Sequence, residues 1–214
     1  MRIRRNFPMF VLAAIAAGAL VPAAAQAAEP EFGLSVGYSQ LSVDGNDSLD
    51  GQGGGRFEPR VSFQPFDDRP QLRFGFALGF SYFYDEEDAG QIVLPPFDFD
   101  VDSFQDVFLL TPEFQVSWRQ PLSERWWIEG GLGAGLVFGY YSAGEVFFDD
   151  AFDTDVTEDD FGFELRPFVR AAWQGEHWHW GAEASYQYTT IDFGGPFGGD
   201  LSEWYAGLFF GFSR

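Results

Sequence analysis

Cysteine is absent from all 214 residues. That excludes disulfides, thiolate metal centres and a lipid-modified N-terminal cysteine. Lysine is absent as well. The twelve basic residues are all Arg, set against 33 Asp and Glu, and the formal net charge is −21. So acidic a chain lacks the clustered cations that hold phosphate backbones, which argues against nucleic acid as a partner. Histidine occurs only at His177 and His179. After residue 27 no apolar run approaches the ~20 residues a membrane-spanning helix needs.

The one apolar run stands near the start. Arg2, Arg4 and Arg5 precede it, Met9 to Val21 form it, and Ala25-Gln26-Ala27 follows as a small-x-small cleavage site. This order predicts a secretory signal peptide over residues 1–27, cleaved near Ala27. The run is too short to span a bilayer, and Pro22 interrupts it. Residues 28–214 then make a single exported domain.

What is present in that domain is aromatic density with a period of two. Leu72, Phe74, Phe76, Leu78, Phe80, Tyr82 and Tyr84 alternate with Arg73, Gly75, Ala77, Gly79 and Ser81. Alternation predicts strands with two unlike faces. Eight such segments occur: Phe32–Val43, Arg56–Phe66, Leu72–Tyr84, Phe104–Trp118, Trp126–Tyr141, Phe161–Trp173, Trp178–Thr190 and Glu203–Phe212. Each is long enough to cross a bilayer at a tilt, for which ~9–11 residues suffice. Short turns (Asp67–Pro70, Arg119–Arg125, Gln174–His177) alternate with expected long loops at 44–55, 85–103, 142–160 and 191–202. The fold class that follows is all-β, an eight-stranded antiparallel up-and-down transmembrane barrel with both termini on the short-turn, periplasmic side.

Charge and aromatic placement agree with that orientation. The four long segments carry twenty Asp and Glu and no Arg. Trp118, Trp126, Trp127, Trp173, Trp178 and Trp180 flank the short turns and are expected to form one headgroup-level girdle. Tyr82, Tyr84, Tyr140, Tyr186, Tyr188 and Trp204 stand at the other strand ends and form the second. Pro59, Pro112 and Pro167 recur at one position in three related segments. They are expected to mark bulges or irregularities at a common height, since proline breaks a ladder and a closed barrel has no edge. A soluble barrel with its apolar face inward would also have eight strands, but its lumen would have to hold the Phe, Leu, Tyr and Trp of all of them.

The alternation, the loop plan and the aromatic last strand Trp204-x-Ala206-x-Leu208-x-Phe210-x-Phe212 resemble the small outer-membrane barrels of the OmpA-membrane-domain and OmpX type. The resemblance extends along residues 28–214. In that family the chain ends on the aromatic residue, whereas Ser213 and Arg214 follow Phe212 here. The resemblance implies the cell outer membrane as location, its lipid and lipopolysaccharide as surroundings, a monomer, and no cofactor.

The face opposite the aromatic one carries Arg56, Glu58, Arg60, Arg73, Glu113, Glu129, Glu164, Arg166, Arg170, Glu183 and Glu203. An eight-stranded barrel is just wide enough for side chains to fill it, so these are expected to meet as ion pairs in the lumen. The alternative is a narrow path for ions or small solutes. His177 and His179 lack the third histidine or cysteine of a zinc site and are expected as polar turn residues. Lipid A deacylases of similar barrel size carry a His-x-Ser motif at the outer leaflet. Here +2 from His177 is His179, and +2 from His179 is Gly181, at a periplasmic turn. No catalytic residue is therefore assigned, and a lipid-modifying enzyme is the third reading behind a structural or surface-interaction protein and a channel. Asp98-x-Asp100-x-Asp102 resembles the start of a calcium loop, and Asp149, Asp150, Asp153 and Asp155 begin a dense acidic run. Together they are the candidate ligands for a divalent cation, hard oxygen donors being its natural partners.

Overall fold

The computed structural model describes residues 30–43, 50–94, 97–147, 152–191 and 201–213. The expected signal peptide lies outside these, as do Asp149 and Asp150. Eight strands follow in order: β1 (Glu31–Val43), β2 (Gly53–Phe63), β3 (Leu72–Leu94), β4 (Phe97–Pro121), β5 (Trp126–Phe147), β6 (Phe152–Gln174), β7 (Trp178–Thr189) and β8 (Leu201–Ser213). Each pairs antiparallel with its sequence neighbours, and β8 returns to β1 to close the barrel.

Closure carries a defined stagger. From Phe32 the pairing runs through Val61, Phe76, Phe114, Ala134, Leu165, Tyr188 and Ser202, and it re-enters β1 at Ser42, ten residues further on. For eight strands such a stagger requires a tilt of roughly 40°. It also fixes which residues share a height around the wall.

The faces are inverted relative to a water-soluble protein. Phe163 is 63% exposed and Trp204 60%, whereas Arg166 is fully buried. Along β7 burial alternates residue by residue, with Glu183, Ser185 and Gln187 inside and Ala182, Ala184 and Tyr188 outside. An apolar outer band around a polar interior is what the bilayer selects. The inward-apolar soluble barrel is excluded by this arrangement.

Two of the four expected long loops are largely strand. β3 and β4 pair out to Leu94 and Phe97, and β5 and β6 out to Phe147 and Phe152. β4 and β5 stay paired as far as Val101 and Phe147. In contrast, β2 leaves β3 at Phe83, and the pairing of β7 with β6 reaches no further than Glu164. The four long strands therefore continue past the membrane-spanning part as a sheet rising from one side of the barrel. Asp98, Asp100 and Asp102 lie on extended β4 backbone and Asp153 and Asp155 on β6, so the Asp-x-Asp-x-Asp spacing falls within a strand.

The three prolines interrupt the ladder without shifting it. Pro59, Pro112 and Pro167 pair in register with Leu34, Leu78 and Leu132 on one side. On the other side the described pairs resume in the same register after a two-residue gap. They are irregularities of the ladder, as expected, but not bulges. Among the described residues the one register shift, in the ladder of β3 with β4, lies between Asp88 and Gly90.

Candidate functional site: the barrel lumen

Inward residues from all eight strands meet in three layers. At the periplasmic end Glu31 receives Arg73 Nη2 and Arg119 Nη2, each at 2.8 Å, and His179 Nε2 stands 3.1 Å away. Arg119 Nε also donates to Glu129 at 2.7 Å, and its guanidinium lies 3.8 Å from the centre of a Trp127 ring. Trp127 packs on Phe209 and His179 and covers this layer from inside.

The middle layer is a continuous ion-pair network. Arg170 donates to Glu183 at 2.8 Å and Glu129 at 2.9 Å, and Arg60 reaches Glu183 at 2.6 Å. Arg166 is held by Glu113, by Glu58 at 2.8 Å and by Glu183 at 3.2 Å. Arg56 spans Glu58 and Glu203, both at 3.0 Å, and donates to Gln187 at 2.7 Å. Ser39 and Ser81 hydroxyls donate to Glu203, and Ser117 to Glu129. Two glycines make room for these side chains. A Cβ at Gly79 would fall on Thr111 Oγ1 and Arg56 Nη2, and one at Gly133 on Glu113 Oε2.

The outer layer is apolar. Leu41, Phe83, Val107, Leu109, Val137, Tyr141, Ile191 and Leu201 turn inward and pack into one buried cluster. Charge pairs below and hydrocarbon above leave long side chains in contact across the barrel where a water-filled pore would need free radius.

The structure brings together the eleven charged residues expected from alternation, and each of the five Arg among them has a carboxylate partner. Glu164 is the exception among the acids. It is buried, and neither carboxylate oxygen has a hydrogen-bond partner among the described residues. Glu31 and Arg119 were missed because the expected strands ended one residue short at Phe32 and Trp118. Their parity matches Ser35 and Glu113, so extending the alternation by one step at each end would have found both.

Two aromatic assignments change. Trp127 is 3% exposed and belongs to the lumen, not the girdle. Consecutive residues on a strand face opposite ways, so Trp126 and Trp127 cannot both meet lipid. His179 is likewise inside rather than a turn residue, while His177 is exposed at the turn. The two therefore do not converge, and among the described residues no three His, Asp or Glu side chains stand in metal-holding geometry. The second girdle is present: Tyr186 packs at 4.4 Å on Tyr188 and 4.3 Å on Trp204, with Tyr82, Tyr84 and Tyr140 exposed at similar strand positions.

Comparison with known proteins agrees with this geometry. The family described as outer membrane protein beta-barrel domain matches residues 10–212. Comparison by sequence with curated proteins finds none that matches. Among solved structures, Neisserial surface protein A is similar over 86% of this chain and 97% of its own, with 11% identity and a TM-score of 0.50. Ail, the attachment invasion locus protein of Yersinia pestis, solved with the heparin analogue sucrose octasulfate, has 17% identity, coverage of 87% and 99%, and a TM-score of 0.49. The N-terminal barrel of Pseudomonas aeruginosa OprF has 12% identity, coverage of 87% and 98%, and a TM-score of 0.42. At 11% identity the likeness to Neisserial surface protein A is one of fold.

Proposed function

Because the chain belongs to the outer membrane protein beta-barrel family, we propose that it is a non-conducting, non-enzymatic surface protein of the outer membrane. Its working part is the sheet raised by β3–β6. The observation carrying this reading is the lumen: paired charges fill its middle, and an apolar layer closes its outer end. Such a barrel serves as an anchor. The extended hairpins are then what remains for a partner to meet, and they carry Asp85, Glu86, Glu87 and Asp88 on β3, the three Asp of β4, and Asp153 and Asp155 on β6.

The test is a trimmed barrel in which β3–β4 and β5–β6 are joined by short turns just above Tyr84 and Tyr140. It should still fold, resist SDS until boiled, and sit in the outer membrane, while cells carrying it lose the surface attachment that the full chain confers. Stable single-channel conductance by the full chain in planar bilayers would displace this reading in favour of transport. Altered lipid A in a strain expressing it would favour the enzyme.

A further inference from the structure

Eight arginines stand among the described residues, and seven of them have a carboxylate within ion-pair distance. Arg125 is the exception. It is exposed on the turn between β4 and β5, and its guanidinium lies 5.9 Å from the centre of a Trp173 ring. Trp173 pairs with Trp126 across β5 and β6 and packs at 5.2 Å on Trp178. Trp126 and Trp178 are half exposed on the lipid face, so the free cation is held beside the girdle, at headgroup level. The same turn walls a cavity of about 240 Å³, lined among others by Ser123, Glu124, Arg125 and Trp126. Arg119 lines it too but is already held by Glu31 and Glu129. Glu124 is exposed and has no ion-pair partner among the described residues, Arg125 included. Ser123 Oγ accepts the backbone N–H groups of Arg125 and Trp126, which leaves its own proton to donate.

We propose that this cavity holds the headgroup of an inner-leaflet phospholipid, one that carries both a phosphate and an ammonium. The planar fork of Arg125 matches phosphate oxygens, and the Ser123 hydroxyl is a second donor to them. Glu124 takes the ammonium. An unpaired cation and an unpaired carboxylate on consecutive residues complement a zwitterion, whereas Glu124 repels a headgroup that is anionic overall. Size points the same way. The cavity is smaller than the ~300–1,000 Å³ of sites that enclose drug-sized ligands, so it admits a headgroup and leaves the acyl chains outside. Those chains follow the exposed face past Trp126 and Ile128 into hydrocarbon. Lipopolysaccharide is not the occupant, because the short turns stand at the periplasmic end, away from the outer leaflet. The site lies at the end of the barrel opposite the raised sheet and does not depend on the surface-interaction reading.

The test is native mass spectrometry of the folded chain released from detergent micelles, titrated with three lipids of equal acyl length. Phosphatidylethanolamine carries phosphate and ammonium, phosphatidylglycerol phosphate alone, and diacylglycerol neither. One phosphatidylethanolamine should be retained in preference to phosphatidylglycerol, and diacylglycerol should not be retained. Arg125→Gln should weaken that binding about tenfold, the usual loss when a hydrogen-bonded charge is removed. Glu124→Gln should abolish the preference between the two phospholipids. Arg69→Gln makes the same change of charge on the first short turn, outside the cavity, and should leave binding as it was. Both Arg125 and Glu124 are exposed on a turn, and unchanged heat-modifiable mobility on a gel checks that their variants fold. Undiminished binding by Arg125→Gln, an equal loss from Arg69→Gln, or equal retention of diacylglycerol would overturn the proposal. So would a lipid preference that survives Glu124→Gln. Displacement of the lipid by millimolar inorganic phosphate would overturn it as well, since the cavity would then be a plain anion site.

Discussion

Arg166 on β6 meets Glu58 on β2, the strand diametrically opposite in the eight-stranded ring, at 2.8 Å. A contact across the full width of a barrel ties together strands that share no backbone hydrogen bond. It makes the interior a solid network rather than a lining.

The first prediction tests that tie. Arg166→Ala leaves Glu58, Glu113 and Glu183 each short of a partner, and removing one member of a buried pair costs roughly 3–5 kcal/mol. The urea midpoint of the folded barrel in lipid should fall accordingly. Combining Arg166→Ala with Glu58→Gln should cost less than the two singles together, because residues in one network are coupled. Strict additivity would mean that the contact carries no energy.

Glu164 should behave in the opposite sense. Its carboxyl group is buried with no hydrogen bond among the described residues, and a buried polar group left without one is a cost. Glu164→Leu keeps a similar volume and removes the unsatisfied group, so it should raise stability by about 1 kcal/mol or more. Glu183→Gln, which weakens contacts with Arg60, Arg166 and Arg170, should lower it. Equal losses from the two substitutions would place a hidden partner at Glu164.

Gly133 offers a steric test. A methyl group there would press on the Glu113 carboxylate that Arg166 holds. Gly133→Ala should therefore destabilise by roughly 1–3 kcal/mol, the usual cost of overpacking. Gly130, where an added Cβ meets nothing within 4 Å, should accept the same change with little effect. A comparison of the two midpoints decides it.

The lipid face gives a fourth. Leu132 is half exposed to the outside, and arginine placed there near the midplane should cost roughly 2–4 kcal/mol. Unchanged stability of Leu132→Arg would reverse the assignment of faces on β5.

The lumen was readable from sequence because a period of two sorts every strand residue into inside or outside, and Arg or Glu on an aromatic strand can only face in. Alternation also held the answer for Trp127, but the habit of placing tryptophan at the headgroup level overrode it. The partners of each Arg were not readable. They depend on the ten-residue stagger, which sets heights around the wall and leaves no trace in any single strand. The raised sheet was hidden by composition. Asp and Glu are poor strand formers and suggest loops, yet Phe97-Asp98-Phe99-Asp100-Val101-Asp102 keeps strand periodicity and pairs accordingly.

The seam between β1 and β8 sets the order of events in folding. Glu31 pairs with Ser213, so the first strand must wait for the last before either has both neighbours. Contacts so remote in sequence are slow to form, because the loop between them must be closed before they contribute. Until that moment the seven hairpin-linked ladders make an open sheet with two bare edges, unsuited to hydrocarbon. Synthesis order gives no protection, since β1 emerges first and its partner last. However stable the finished barrel is, a chain whose seam is still open keeps both bare edges, so the rate of closing the seam matters beside the final stability.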